Sequence, residues 1–335
     1  ILGQTERKKM IKKGVQILFP LLLGAAILWW TYRDFNFSRV WDVLNGGMNY
    51  GWMLFSLLFG MTAQLCRGLR WKQTLEPLGE HPRTSHCVYS VFISYAANLV
   101  LPRVGEVSRC GVLAKYDGVS FSKSLGTVVT ERVIDSVCVL LITGTTLLLQ
   151  MPVFATFFEE TGTDVGRYAG ILTSAHFYLA VICVVALLVL AFFLVRNVTM
   201  FARLKGILQN VWEGILSVRR VRNVPLFIFY TMGIWASFFL EFYVAFFAFS
   251  FSADLGVVAA LVMFAVGTIA VIVPTPNGAG PWHFAIITMM VLYGVGREDA
   301  AVFALLVHGI QTFLLILLGI YGLAALPFTN KSKRL

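Results

Sequence analysis

Charge is what this sequence has least of. Only 13% of its 335 residues are Asp, Glu, Lys or Arg, 58% are hydrophobic, and the mean hydropathy is +0.78. A water-soluble domain has no use for that much apolar surface, which argues against a soluble globular protein and for a polytopic helical membrane protein. Chemistry-bearing motifs are missing too. There is no His/Glu metal motif, no Gly-x-Ser-x-Gly elbow, no Walker sequence and no Rossmann glycine pattern. Neither a catalytic residue, a metal nor a cofactor is therefore expected, nor is ATP-driven transport by this chain alone. The five cysteines, Cys66, Cys87, Cys110, Cys138 and Cys183, lack metal spacing, and an odd number defines no disulfide framework. They read as small buried apolar residues.

The charge that is present is unevenly placed. The formal net charge is +10, but the basic residues sit in short connectors between apolar runs, as cytoplasmic loops facing anionic lipid do, so nucleic acid is not an expected partner. The apolar segments are roughly 15–32, 50–66, 88–101, 124–150, 171–195, 224–250, 255–273, 281–294 and 300–326. Lys8, Lys9, Lys12 and Lys13 precede the first, which ends in Trp29-Trp30-Thr31-Tyr32 without a small-residue cleavage site. It reads as an uncleaved first membrane helix. Arg67, Arg70, Lys72 and Arg83 are expected in a cytoplasmic connector after the second helix. The acidic stretch 151–170 is expected outside, and the basic 196–223 and the tail at Lys331 to Arg334 inside. Residues 198–222 carry apolar groups at helical spacing and predict an amphipathic cytoplasmic helix.

Two segments cannot be straight spanning helices. Val88 to Leu101 is about fourteen residues, which reaches roughly 21 Å as a helix, short of the ~30 Å hydrocarbon core. It ends in Pro102-Arg103-Val104-Gly105-Glu106. Charge parity makes residues 85–116 enter from the cytoplasm and return to it; parity is the same for two full crossings, and the shortness of Val88–Leu101 favours re-entry. The second interruption, Pro274-Thr275-Pro276-Asn277-Gly278-Ala279-Gly280-Pro281, defeats any straight helix, and parity makes 255–296 enter from outside and return. The expected fold is all-α: one integral membrane domain over 1–335, about six full crossings and two opposed re-entrant hairpins. Such broken helices belong to transporters with inverted repeats, where unwound backbone lines an enclosed cavity. The backbone breaks are assigned to Pro102, Gly105, Pro274, Pro276, Gly278, Gly280 and Pro281.

Ionisable residues inside the membrane are the candidate site. A ~20-residue core counted back from Leu149 reaches Thr130, which places Glu131, Arg132 and Asp135 in the inner half of the bilayer. Glu131 and Asp135 are four apart and repel unless cations sit opposite; Arg103 and Arg109 are the expected partners, with Arg132 on an adjoining face. Either a structural ion network or direct substrate contact satisfies this pattern. Glu241, deep in an apolar run, is neutral, paired or cavity-facing. His283 and His308 are satisfied core histidines or titrating groups.

Asn98…Leu101-Pro102-Arg103-Val104-Gly105-Glu106…Arg109, Thr130-Glu131-Arg132…Asp135 and Pro274-Thr275-Pro276-Asn277-Gly278-Ala279-Gly280 together resemble the flippase-like transmembrane domain of the lysylphosphatidylglycerol synthase family, over nearly the whole chain. The resemblance implies a lipid-translocating protein of a bacterial inner membrane with both termini cytoplasmic. The soluble aminoacyl-transferase domain of the two-part synthases is not expected here, since the last apolar segment runs almost to Leu335. One departure is His283, where the family pattern commonly has an acid. The expected function is a lipid flippase with a polar pocket for a phospholipid headgroup, lined by Asn98, Arg103, Glu106, Arg109, Glu131, Arg132, Asp135, Glu241, Asn277 and His283. A secondary transporter of a small polar or anionic solute, or a non-catalytic membrane partner of a lipid-modifying enzyme, are the alternatives. A membrane lipid is the expected partner, and a homo-oligomer or a lipid-modifying enzyme are further candidates.

Overall fold

The computed structural model describes residues 18–150 and 216–330, with Trp212 between them. The expected crossing at 171–195, the acidic stretch 151–170 and most of the expected amphipathic helix 198–222 lie outside the described residues. Among those described, the chain is an all-α membrane protein. Its helices are α1 (Leu18–Tyr32), α2 (Ser38–Asp42), α3 (Tyr50–Leu75), α4 (Thr84–Val100), α5 (Val104–Asp117), α6 (Phe121–Leu149), α7 (Val224–Phe246), α8 (Gly256–Ala270), α9 (Pro281–Leu292) and α10 (Arg297–Asn330). Three of them, α6, α7 and α10, are long and apolar enough to cross a membrane. At 26 residues α3 is also long enough, but its second half carries Arg67, Arg70 and Lys72. That corrects the sequence expectation of a cytoplasmic connector beginning at Arg67. The helix continues because both arginines are buried, at 3% and 0% exposure, against acids on α6.

Helix ends are set by local chemistry. The Asn49 side chain accepts from the backbone N–H groups of Gly51 and Trp52 and starts α3, while Asn49 N–H donates to the Ala248 carbonyl just past α7. The α3 N-terminus and the α7 C-terminus are thereby tied together, and the two helices pack antiparallel along most of their length. Arg39 in α2 pairs with Asp299 at the start of α10 at 2.9 Å. The carboxylate raises the Arg39 guanidinium, through the hydrogen bond first and charge second.

The breaks fall where proline and glycine put them. Between α4 and α5 the chain turns through Leu101–Arg103, with Arg103 at φ 67°. The α5 amide of Gly105 donates to Asn98 Oδ1 at 2.8 Å. A Cβ at Gly105 would collide with the Ser94 carbonyl oxygen of α4, so glycine is what lets the two arms close. At their base, His86 Nδ1 lies 3.0 Å from Asp117 and His86 Nε2 lies 2.8 Å from Thr329 Oγ1, and Arg83 donates to the Thr329 carbonyl. The hairpin therefore begins and ends at the C-terminal end of α10.

α10 acts as a ruler for both breaks. Gly322 accommodates α4 around Tyr89–Ile93, and Gly319 sits against Ala96, which puts the α4–α5 tip close to the middle of α10. The second break meets the same level: Asn277 Nδ2 donates to Thr312 Oγ1 at 2.9 Å, and His308 Nε2 lies 3.1 Å from the Asn277 carbonyl. Thr312 is fifteen residues from the start of α10, or about 22 Å along it. The turn Pro276–Gly278 touches α4 directly, and Gly24 of α1 closes over it against Thr275 and Ala279. From there α9 runs back to the N-terminal end of α10.

Two cores follow from this division. One gathers Phe242, Phe246, Met263, Ile286, Met290 and Phe303 from α7 to α10 with Tyr32 and Met48. The other joins Trp71, Leu75, Cys87, Val91, Cys110, Leu113 and Val128 from α3 to α6. Outward faces stay apolar, as a lipid-facing surface does: Leu140 is 71% and Leu148 81% exposed on α6.

Candidate functional site

The acids of α6 organise the site. Glu131 and Asp135 lie one turn apart on one face and are 0% and 6% exposed. Arg67 Nη1 donates to Asp135 Oδ2 at 2.6 Å, and Arg70 Nη2 donates to Asp135 Oδ1 at 2.8 Å and to Glu131 Oε1 at 3.2 Å. From α5, Arg109 Nη2 stands 2.5 Å from Glu131 Oε2, a charge contact not aligned as a hydrogen bond. Its guanidinium lies over the Trp71 ring at 4.6 Å, and Trp71 Nε1 donates to Thr127 Oγ1 at 2.9 Å. Three elements thus converge, α3, α5 and α6.

The cluster does not balance. Three buried arginines face two buried acids, an excess of one positive charge. Among the described residues, the Nε–H groups of Arg67, Arg70 and Arg109 are buried without a hydrogen-bond partner. Buried donors left unmade are costly, about 1–3 kcal/mol each. The arrangement therefore holds unused capacity for an anion with several acceptor oxygens, the kind of group that planar guanidinium donors bind well.

A second ion pair forms the rim. Arg132 Nε lies 2.9 Å from Glu106 Oε1 of α5, and Arg132 Nη1 lies 4.0 Å from Asp135. The Arg132 side chain is 44% exposed, between Val129, Val133 and Val137 on the outward face of α6, all at least 40% exposed. A charged pair thus opens onto the apolar surface and reaches, through Asp135, into the buried cluster.

The structure distributes the sequence-predicted residues over four places. Arg109, Glu131 and Asp135 form the cluster, with Glu106 and Arg132 at its rim. Asn98 acts locally, as the acceptor that starts α5. Arg103 does not pair with the acids as expected among the described residues; it is exposed at the hairpin tip, in a left-handed backbone conformation. Asn277 and His283 are at the second break, where His283 Nδ1 accepts from Gly280 N–H at 3.3 Å and its ring lies 4.6 Å from that of His308. Glu241 stands apart from both, on α7 against α3. Arg67 and Arg70 were missed as site residues. The signal was there: Gly60, Gln64, Arg67 and Trp71 recur at helical spacing, which would have extended the second helix through them. Two open clefts among the described residues lie elsewhere again. The larger, about 240 Å³, is lined by Trp30, Arg33, Asp34, Ile287, Arg297 and Glu298 near the N-terminal end of α10. Compared with that exposed cleft, the arginine cluster is shut by its own ion pairs.

Broken helices meeting halfway along a spanning helix, with buried arginines beside one of them, define a polytopic helical membrane protein. The family model of the lysylphosphatidylglycerol synthase TM region matches residues 17–319. The chain belongs to that family and is a membrane protein of lipid metabolism or transport. No curated protein and no solved structure gives a significant match.

Proposed function

We propose that this protein is a flippase for a phosphate-bearing lipid, carrying the headgroup past the α5–α6 rim while the acyl tails stay in the bilayer. One observation carries the reading: the Glu106–Arg132 pair opens on the lipid-facing side of α6 and leads to a cluster with one surplus positive charge. A closed pocket for a small solute needs no charged pair on the lipid face. A headgroup entering from the side does.

In this reading the protein lies in a bacterial inner membrane with both termini cytoplasmic. The α4–α5 hairpin enters from the cytoplasm and α8–α9 from the opposite face. A phosphate displaces Glu106 from Arg132, and the freed carboxylate is placed to read an amine on a zwitterionic or cationic lipid. Arg103, at the hairpin tip and without an ion pair among the described residues, meets the phosphate at mid-depth. Arg67, Arg70 and Arg109 offer the unused donors once the hairpin moves away from α6. The reading contains no bond-breaking step and assigns no catalytic residue.

Reconstituted vesicles with fluorescent phospholipid test it. Arg103→Ala and Arg132→Ala, both at exposed positions, are expected to slow protein-dependent translocation about tenfold each, the equivalent of ~1.4 kcal/mol. Both variants should retain thermal stability. Unchanged translocation in both, with the protein folded, would remove the rim from the pathway.

A further inference from the structure

One buried ionisable group stands outside the arginine cluster with nothing to neutralise it. Glu241 of α7 is 9% exposed and, among the described residues, has no hydrogen-bond or ion-pair partner. Its carboxyl group rests against Gly60 of α3, where a Cβ would collide with both carboxyl oxygens. A glycine at that one helix position makes the space that the acid fills.

The acid is also the end of a line. α3 and α7 run antiparallel, so Gly60 faces Glu241, Cys66 lies beside Gly233, and Arg70 Nη1 donates to Thr231 Oγ1 at 3.4 Å. Between those points lie Gln64 and Ser237, 2% and 7% exposed. Gln64 Oε1 is buried without a donor. Gly60, Gln64, Arg67 and Trp71 share one face of α3, which joins Glu241 to the arginine cluster by a buried polar stripe through an otherwise apolar interface. Among the described residues, no other charged group pairs with the carboxyl. On α3 the nearest cation in sequence is Arg67, seven residues or about 10 Å along the helix, and it is held by Asp135 of α6. α8, also packed on α7, has no ionisable residue over Gly256–Ala270.

We propose that Glu241 is a reversible proton-binding site inside the membrane and that α3 links its occupancy to the arginine cluster. The proton adds to a carboxylate oxygen from water at the α7 C-terminal end, five residues or about 8 Å away, and returns by the same route. The acid form gains an O–H donor on the side where Gln64 Oε1 lacks one. The ionised form places a negative charge on the stripe that ends at Arg67 and Arg70, and so competes with Asp135 for them. The proton site stands by itself; its coupling to lipid movement rests on the translocation reading above.

The experiment is a pH titration of the full chain in lipid nanodiscs, followed by infrared difference spectroscopy. A carbonyl band of a protonated carboxylic acid is expected, titrating with pH and absent in Glu241→Gln, which matches the acid form in shape. Gln64→Leu should move the band without removing it, since the acid keeps its proton but loses an acceptor. A band that persists in Glu241→Gln, or a wild-type difference spectrum without one over the accessible pH range, overturns the proton site. In vesicles, phospholipid translocation should change at least threefold with pH in the wild type and be flat in Glu241→Gln. A titrating band with identical pH profiles in both proteins overturns the coupling and leaves the site. No translocation at any pH, with the band present, overturns the translocation reading instead.

Discussion

Arg70 shows how strongly single residues are constrained here. It is fully buried and bonded to Glu131, Asp135 and Thr231 at once. Removing one member of a buried charge network leaves the rest uncompensated, which typically costs about 3–5 kcal/mol. Asp135→Ala should therefore lower the thermal stability of the detergent-solubilised protein severely, because Arg67 and Arg70 lose their shared partner. Arg132→Ala, at the exposed rim, should change it by less than about 1 kcal/mol. Similar losses for the two variants would mean that the cluster is not the packed, low-dielectric unit described. Gly105 is constrained by space rather than charge. Gly105→Ala pushes a methyl group into the Ser94 carbonyl, and overpacking of that kind costs about 1–3 kcal/mol. A melting temperature unchanged by Gly105→Ala would argue that α4 and α5 are not held so closely.

Between the breaks and α10, the elements set depth. Gly319 and Gly322 let α4 lie against α10, a small-residue contact of the kind that brings membrane helices together. Bulky residues there should separate hairpin and ruler. Gly322→Leu is expected to leave the protein in the membrane but expose α4, read as faster modification of a cysteine placed at Ile93, which lies against Gly322 and is 9% exposed in the native fold. The same elements show what the sequence could and could not say. Pro102, Gly105 and Pro274 to Pro281 announced both breaks, because proline and glycine act locally. The acids Glu131 and Asp135 announced a site, because unpaired charge in lipid is expensive. Of their partners, Arg109 was legible in its motif and pairs with Glu131; the spacing of Gly60, Gln64, Arg67 and Trp71 carries the second helix through both further arginines without saying what they face. Arg67 and Arg70 have the look of a basic connector until the fold brings α3 alongside α6, and Arg103, adjacent in motif to Arg109, is exposed at the hairpin tip. Distance along the chain carried no information about either.

At the scale of the whole molecule, the two breaks, the ruler helix and the arginine cluster form one device only if a headgroup passes between them. The α4–α5 hairpin is tied to α10 at its base through His86, Asp117 and Thr329, while among the described residues its tip holds no ion pair through Arg103. Motion is thus expected at the tip, with the base as hinge. A hairpin that reaches only half-way also has a sidedness. A cysteine placed at Val104 should become accessible to a membrane-impermeant reagent from the side of Arg83 and not from the side of Asp299. Labelling from the Asp299 side alone would invert the topology.

The central claim is that the surplus positive charge selects phosphate-bearing lipid. It is tested most directly by measuring, in vesicles reconstituted with the wild-type protein, the rate at which fluorescent lipids leave the inner leaflet, comparing a phospholipid with a phosphate-free lipid of the same acyl chains. Protein-dependent movement of the phospholipid, at least tenfold faster than that of its phosphate-free counterpart, is the predicted result. Equal rates for the two lipids, or no movement of either above protein-free vesicles, would contradict it.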